Sequence, residues 1–197
     1  MRFKLGLTGS IGMGKSTTAK LFAEAGCAVW DADAAVHRLY APGGLAVGPM
    51  AKRFPDAVEN GEVSRAGLKA EIARDATALA AIEAIVHPLV QADRMAFIAG
   101  HFDAIGVFDI PLLFETGGDA EMDATACVFV SRETQRFRVL ERGTMTEGDL
   151  ERILARQMPN EEKCRRATWV IETDTLEHAK DQVSKIVTEI EGRLADA

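Results

Sequence analysis

The chain has 197 residues, the length of one domain with room for a small inserted subdomain. Its hydrophobic fraction of 47% and charged fraction of 27% are typical of a globular protein, and its formal net charge of −7 provides no overall basic field for nucleic acid or an anionic membrane. No apolar run approaches the roughly 18 residues of a membrane span. The N-terminal residues enter a predicted strand at once, so we expect a cytoplasmic protein without a signal peptide.

The cysteines and aromatic residues exclude further classes of function. Cys27, Cys127 and Cys164 lie far apart, show no metal-binding spacing, and each stands in or beside an apolar run. We therefore expect buried, reduced thiols. The aromatic residues form no stripe interleaved with basic residues, which argues against nucleic-acid binding.

Short apolar runs alternate with segments of helical period along the chain. The predicted strands are residues 3–7, 27–30, 104–108, 125–130 and 169–171. The predicted helices are residues 16–25, several segments within 65–99, and residues 133–142, 147–158 and 176–194. Continuous apolar strands separated by helices favour a parallel sheet that is covered on both faces, so the predicted fold class is α/β.

One segment interrupts this alternation. Residues 31–103 contain no convincing strand, although a single crossover helix needs far fewer residues. The segment includes a turn-rich APGGLAVGP stretch and continues as Ala-rich helical sequence. Within it, Pro88 predicts the end of one helix and the start of another. We predict an inserted helical lobe.

The glycine-rich stretch at residues 9–16 matches the pattern G-x4-G-K-[ST], after a predicted strand and before a predicted helix. Its glycines allow successive backbone N–H groups to point at phosphate oxygens, and the helix N-terminus adds partial positive charge. Lys15 is expected to bridge the outer phosphates, and the Ser16 hydroxyl to ligate Mg²⁺. The predicted ligand is a nucleoside triphosphate with Mg²⁺. The predicted nucleotide contacts in the loop are Gly9, Ser10, Ile11, Gly12, Met13, Gly14, Lys15, Ser16 and Thr17.

Two carboxylates, Asp31 and Asp33, follow the second predicted strand at the sheet edge where ligands bind in open α/β proteins. We expect these two carboxylates to have different roles. If Asp33 faces the glycine-rich loop, it can accept the proton of an attacking hydroxyl. Alternatively, either carboxylate caps the helix that follows.

The order of five motifs then becomes specific. LTGSIGMGKST, WDADAAVHRLY, AIVHPLV, FDIPLLFE and RILARQM together resemble the dephospho-coenzyme A kinase family over about residues 3–171. The resemblance implies a three-layer P-loop kinase fold with a five-stranded parallel sheet. It also implies a nucleotide-binding core of residues 1–33 and 104–197, an inserted acceptor-binding lobe of residues 34–103, and a helical lid at about residues 132–158. The implied reaction transfers the γ-phosphoryl group of ATP to the ribose 3′-hydroxyl of dephospho-CoA.

The resemblance also implies roles for individual residues. Asp33 matches the acidic base, and Lys15, Arg138 and Arg142 are the other predicted catalytic residues, with Arg142 also contacting the nucleotide. Asp109 stands in the place of a metal-binding carboxylate, although it could instead cap the next turn. The predicted acceptor contacts are Thr8, Asp33, His87 and Leu113. For His87, the alternative is a structural corner.

The remaining matches carry less defined roles. Glu115 ends the PLLFE motif, and Arg156 with Gln157 matches the motif before the last strand. Thr168 and Thr173 stand where the family has Asp and Asn, so no function is carried over to them.

Two other functions remain open on the residues. One is another P-loop kinase, acting on a nucleoside monophosphate or a sugar acid. The other is a nucleotide-dependent switch protein, which would require NKxD and DxxG motifs that the chain lacks. The expected partners are ATP and dephospho-CoA, without nucleic acid or membrane, in a monomer or weak homo-oligomer.

Overall fold

The computed structural model describes residues 1–196, in which strands and helices alternate along the chain. The strands are β1 (Phe3–Thr8), β2 (Ala28–Asp31), β3 (Val58–Glu59), β4 (Glu62–Val63), β5 (Ile105–Asp109), β6 (Ala124–Phe129) and β7 (Trp169–Glu172). The helices are α1 (Lys15–Glu24), α2 (Ala32–Tyr40), α3 (Val47–Arg53), α4 (Arg65–Arg74), α5 (Ala78–Gly100), α6 (Arg132–Glu141), α7 (Glu147–Leu154), α8 (Asn160–Arg166) and α9 (Leu176–Ala195). None of these helices is long and apolar enough to cross a membrane.

The main sheet has five strands in the order β2-β5-β1-β6-β7. Strand β1 pairs in parallel with β5 and with β6, and β6 pairs in parallel with β7. The predicted five-stranded sheet and the α/β class are confirmed. Because the chain places later strands on both sides of β1, the strand order reverses there, and a crevice opens at the carboxyl ends of the strands.

Apolar side chains explain why the central strands form. Leu5 and Leu7 on β1 are fully buried and belong to the same core as Phe22 of α1 and Ile190 of α9. Each such side chain contributes about 1.5–3 kcal/mol when it leaves water. Helices α1 and α9 therefore cover one face of the sheet.

Helix α8 lies on the other face. Ala126 and Val128 belong to the core beneath α1 and α9. Side chains alternate along a strand, so Cys127 between them points to the opposite face. There it meets Asn160 and Cys164 of α8.

The chain divides into two compact units. One comprises Met1–Trp30 together with the chain from His101 onward, and the other is Asp31–Gly100. The second unit is mainly helical and has its own apolar core, which includes Met50, Phe54 and Ile82.

The helical unit contains one hairpin that the sequence analysis missed. Strands β3 and β4 pair in an antiparallel manner, so the expectation that residues 31–103 contain no strand is wrong. Asn60 and Gly61 connect them with φ of 50° and 80°. An Asn-Gly pair between valines is a strong hairpin signal, because a two-residue turn of this type requires positive φ at both positions.

Helix α5 corrects a second expectation. It runs without interruption from Ala78 to Gly100 with Pro88 inside it, so the predicted helix boundary at Pro88 is wrong. Proline removes the hydrogen bond to the carbonyl four residues earlier, which belongs to Ala84. Both Ala84 and Pro88 are exposed, so water can serve that carbonyl. The buried Ile82 and Val86 hold the helix on its core, which offsets the local cost.

The region after β6 differs from prediction in one boundary. Residues 147–158 were expected to form one helix, but α7 ends at Leu154 and a separate short helix, α8, begins at Asn160. Pro159 immediately precedes α8, and the residue before a proline is biased away from helical conformation.

Candidate active site

The glycine-rich loop joins the carboxyl end of β1 to the N-terminus of α1, as predicted. Gly14 caps the helix with φ of 89°, and a Cβ there would lie 2.9 Å from Thr173 Oγ1, so only glycine fits. Within residues 1–196, no side chain caps the N-terminus of α1. Its first-turn N–H groups therefore remain available to an anion at the carboxyl edge of the sheet.

Side chains from later in the chain hold the loop in shape. The Ser10 N–H donates to Asn160 Oδ1 at 2.9 Å, and Gln135 Nε2 donates to the Ile11 carbonyl at 2.7 Å. The Met13 N–H donates to the Ser10 carbonyl at 3.2 Å. The N–H groups of Ser10 and Met13 are thus each hydrogen-bonded to a protein oxygen, so in this conformation they are not free for the predicted phosphate contacts.

Thr173 connects the loop to the first helix of the predicted lid. Its hydroxyl donates to the Met13 carbonyl at 2.8 Å and accepts from Arg138 Nη1 at 3.1 Å. Its carbonyl accepts from Arg138 Nη2 at 2.6 Å, and its N–H donates to the Phe129 carbonyl at 2.8 Å. The buried Thr173 thus positions the Arg138 guanidinium beside the glycine-rich loop.

The three residues whose side chains support this loop have no role predicted from the sequence. Gln135, Asn160 and Thr173 are all buried. A usable signal existed only for Thr173, which follows the last strand at the carboxyl edge of a parallel sheet, where ligand-binding residues concentrate.

Lys15 forms an ion pair with Asp109, and both side chains are shielded from water, at 15% and 1% exposure. Asp109 ends β5, the strand beside β1, so the parallel pairing brings both residues to the same edge. The structure therefore directs Asp109 to the lysine of the loop.

The predicted acceptor contacts Thr8 and Leu113 require a correction. Both are fully buried. The Thr8 hydroxyl donates to the Pro111 carbonyl at 3.1 Å, and Leu113 lies against Gly6, where a Cβ would be 2.6 Å from it. Neither side chain is open to a ligand, so both support the structure beneath the site.

A cavity of about 300 Å³ lies beside the glycine-rich loop. It is lined by Gly12, Gly14, Thr17, Thr18, Arg138, Arg142, Thr173, Thr175, Leu176 and Ala179. Other arginines of the predicted lid pair with acids instead: Arg136 contacts Glu147 at 2.7 Å, joining α6 to α7. Arg138 and the exposed Arg142 thus line a cavity beside the glycine-rich loop, and their contact with a nucleotide stays a prediction.

Glu115 and the fully buried Lys163 connect the exit of β5 to the end of the lid region. Lys163 Nζ lies 2.9 Å from Glu115 Oε1 and donates to the Pro111 carbonyl at 2.8 Å. The Met158 N–H also donates to Glu115 Oε1, at 2.9 Å. Burial alone would raise the pKa of Glu115, but the hydrogen bonds from Lys163 and Met158 outweigh it, and the net pKa is lowered.

Arg156 and Gln157, which match the motif before the last strand, differ in exposure. Arg156 is exposed, whereas Gln157 Oε1 is buried and has no hydrogen-bond partner within residues 1–196. Among residues 1–196, no hydrogen bond or ion pair joins either side chain to the phosphate loop.

Asp33 and His87 belong to the helical unit. Asp31 Oδ1 accepts from the Ala34 N–H at 2.9 Å and is the N-cap of α2. Asp33 lies exposed in the first turn of α2, so the capping role falls to Asp31 and leaves the Asp33 carboxylate open. His87 is exposed in the middle of α5, which excludes a packed helix corner.

The chain is similar to known proteins both in sequence and in structure. A family model described as Dephospho-CoA kinase matches residues 3–178. A dephospho-CoA kinase from Ruegeria pomeroyi is 63% identical over 190 residues, covering 96% of each chain. The solved structure of TT1252 from Thermus thermophilus superposes with a TM-score of 0.84 at 33% identity, covering 95% of this chain and 96% of the other. A dephospho-CoA kinase from Campylobacter jejuni shares the fold, with a TM-score of 0.69 at 22% identity, and the alignment covers 96% and 98% of the two chains.

Proposed function

Because the chain belongs to the dephospho-CoA kinase family, we propose that it transfers the γ-phosphoryl group of ATP to the ribose 3′-hydroxyl of dephospho-CoA, giving CoA and ADP. One observation carries the proposal: the ion pair between Lys15 and the buried Asp109 lies at a complete phosphate-binding loop, in a chain that matches the family model over residues 3–178. The use of ATP follows from membership of a family of ATP-dependent phosphotransferases.

The triphosphate binds at the N-terminus of α1. There the first-turn N–H groups and the partial positive charge of the helix favour phosphate oxygens. Lys15 exchanges its contact with Asp109 for the outer phosphates. Arg138 and Arg142, which line the 300 Å³ cavity, then face the charge that develops on the transferred phosphoryl group.

The residues at the loop fit a magnesium ion. The Ser16 hydroxyl lies exposed in the first turn of α1, and the Asp109 carboxylate lies beside Lys15, so both donors are the hard oxygens that Mg²⁺ prefers. When bound, the ion supplies positive charge between the outer phosphates of ATP. Mg²⁺ in such enzymes is held by one or two protein oxygens together with phosphates and water, so a larger protein cluster is not required.

Asp33 accepts the proton of the attacking 3′-hydroxyl. Its carboxylate is exposed and is not the cap of α2, so its lone pairs are available to a substrate. A carboxylate within hydrogen-bond reach of the attacking hydroxyl serves as the base in other phosphoryl-transfer enzymes. His87 on the exposed side of α5 contacts the acceptor.

The two-part organisation follows from these roles. Residues 34–103 bind the acceptor, residues 1–33 and 104–197 bind the nucleotide, and residues 132–158 close over it as a lid. Closure would exclude water and favour transfer to the acceptor over hydrolysis. We also propose a cytoplasmic monomer or weak homo-oligomer that binds neither nucleic acid nor membrane.

A competition among acceptors tests the proposal. The protein is incubated with γ-labelled ATP and an equimolar mixture of dephospho-CoA, AMP, CMP and gluconate, and the labelled products are separated. We expect label in CoA. Label in AMP, CMP or gluconate in preference to CoA would contradict the assignment and would favour a different small-molecule kinase.

A further inference from the structure

Two cysteines that are distant in sequence meet beneath the glycine-rich loop. Cys127 on β6 and Cys164 on α8 are both free thiols, and their sulfurs lie 3.5 Å apart. Cys127 is fully buried, whereas Cys164 is partly exposed. A small oxidant can therefore reach Cys164 first, with Cys127 already in position to react next.

The electrostatics assign different roles to the two sulfurs. The contact with Cys164, together with burial, raises the pKa of Cys127. The same contact lowers the pKa of Cys164, because a neutral Cys127 thiol donates a hydrogen bond once Cys164 ionises. Cys164 is therefore the thiol that ionises more readily, and the thiolate is the reactive form.

A single side chain links this thiol pair to the phosphate loop. Cys127 Sγ lies 3.8 Å from Asn160 Oδ1, and Asn160 Nδ2 lies 3.7 Å from Cys164 Sγ. The same Asn160 Oδ1 accepts from the Ser10 N–H at 2.9 Å, and Nδ2 donates to the Val128 carbonyl at 3.1 Å. The amide of Asn160 is thus in contact with both sulfurs and with the second residue of the loop.

We propose that Cys127 and Cys164 form a reversible disulfide whose formation displaces Asn160 from Ser10 and weakens nucleotide binding. A disulfide bond is about 2.05 Å long, so the sulfurs must approach by about 1.5 Å. Cys164 lies one helical turn after Asn160 on the seven-residue α8. Movement of Cys164 towards β6 therefore moves Asn160 as well, and the loop loses its anchor at Ser10.

The chemistry balances with a peroxide as the oxidant. The Cys164 thiolate attacks one oxygen of hydrogen peroxide, so that an S–O bond forms, the O–O bond breaks, and the departing hydroxide takes up the thiol proton as water. Cys127 then attacks the sulfenic sulfur, so that the S–S bond forms, the S–O bond breaks, and a second water leaves with the Cys127 proton. Two thiols are oxidised and one peroxide is reduced to two waters. A dithiol such as dithiothreitol reverses the reaction by thiol–disulfide exchange.

Peroxide treatment of the full-length protein tests the proposal. The modification is identified by peptide mass spectrometry without reduction, and nucleotide affinity is measured with a fluorescent ATP analogue, so neither readout depends on the identity of the acceptor. We expect the Cys127 and Cys164 peptides to be joined with loss of two hydrogens. The Kd for the ATP analogue should rise about five- to ten-fold, which corresponds to the loss of one hydrogen bond at the loop, and recover with dithiothreitol.

Matched controls separate this site from general oxidation. Cys27 is buried, and burial together with the nearby Glu191 raises its pKa to about 11, so it should stay unmodified in the same sample. Cys164→Ser should bind the ATP analogue as the unmodified protein does and should not respond to peroxide. The proposal would be overturned if both thiols stay free after peroxide treatment, or if the cross-linked protein keeps an unchanged Kd. It would also be overturned if peroxide lowers the affinity of Cys164→Ser as much as that of the unmodified protein.

Discussion

A carboxylate acts as a base only if its lone pairs are not committed to the backbone, and this separates Asp31 from Asp33. Asp31 caps α2, whereas Asp33 is exposed in the first turn of the same helix. Asp33→Asn removes the proton acceptor but keeps the shape, so we expect kcat to fall by roughly 10²–10⁴-fold with a small change in the KM for ATP. Steady-state kinetics measure this directly.

Asp31 provides the control for that substitution. Asp31→Ala should lower the free energy of unfolding by about 0.5–2 kcal/mol, because it removes the cap of α2, while kcat stays close to that of the unmodified protein. If Asp33→Asn leaves kcat unchanged, the base is not Asp33.

Thr173 allows the loop support and the arginine contact to be tested together. Thr173→Val keeps the volume but removes the hydroxyl that donates to the Met13 carbonyl and accepts from Arg138. Loss of a hydrogen bond to a charged group costs about 1.5–3 kcal/mol, so kcat/KM for ATP should fall by about ten- to a hundred-fold.

Thr173→Ser retains the hydroxyl and should restore most of the activity. The KM for the acceptor should change little in either variant, which separates a positioning effect on the nucleotide from general damage. Equal losses of activity in the Val and Ser variants would show that the hydroxyl has no part in positioning Arg138.

Helix α5 contains a residue that lowers the stability of the protein. Pro88 lies in the interior of a 23-residue helix, where proline costs about 3 kcal/mol. Pro88→Ala restores the hydrogen bond to Ala84, and the added entropy of the unfolded chain cancels only about 0.4–1 kcal/mol of that gain. We therefore expect the free energy of unfolding, measured in urea, to rise by about 2–2.6 kcal/mol.

Pro49 is the matched control, because it is also exposed but lies in the first turn of α3, where no intrahelical hydrogen bond is lost. Pro49→Ala should not stabilise the protein. A decrease in stability for Pro88→Ala would indicate that the proline is needed where it stands.

The connection between the exit of β5 and α8 makes stability depend on pH. The pKa of Glu115 lies below its ordinary value of 4.5 in the folded protein. Its stabilising contribution is therefore fully present above pH 4.5 and is lost as the pH falls through the lower, folded pKa. Glu115→Gln should lower the free energy of unfolding by about 1–3 kcal/mol at pH 7, because the buried Lys163 loses its counter-charge.

Denaturant unfolding at several pH values checks this expectation. The difference between the unmodified protein and Glu115→Gln should shrink below pH 4.5, whereas Glu161→Gln, an exposed acid on the same helix as Lys163, should have little effect throughout. A difference that stays constant down to low pH would contradict the role assigned to the Glu115 charge.

Across the whole molecule, the features that could be predicted from sequence are those determined by residues close together in the chain. The five main strands were predictable because parallel strands buried on both faces read as continuous apolar runs. The glycine-rich loop was predictable because backbone geometry and phosphate binding restrict its residue types. Both signals lie within a few residues of the element that they specify.

The features that could not be predicted depend instead on residues that are distant in the chain. Pro88 remains helical because Ile82 and Val86 are held on a core, and Asn160 supports the loop across 150 residues of sequence. The thiol pair of Cys127 and Cys164 is likewise 37 residues apart. The β3–β4 hairpin is the exception, because its Asn-Gly turn was visible in the sequence.

We propose that this molecule transfers phosphate to one acceptor and protects ATP from water. A coupled assay of ADP release, run with and without dephospho-CoA, tests this most directly. We expect slow release without the acceptor, and with dephospho-CoA a large increase in which each ADP is matched by one CoA. Equal rates with and without dephospho-CoA, or ADP release that is not matched by CoA, would contradict the account.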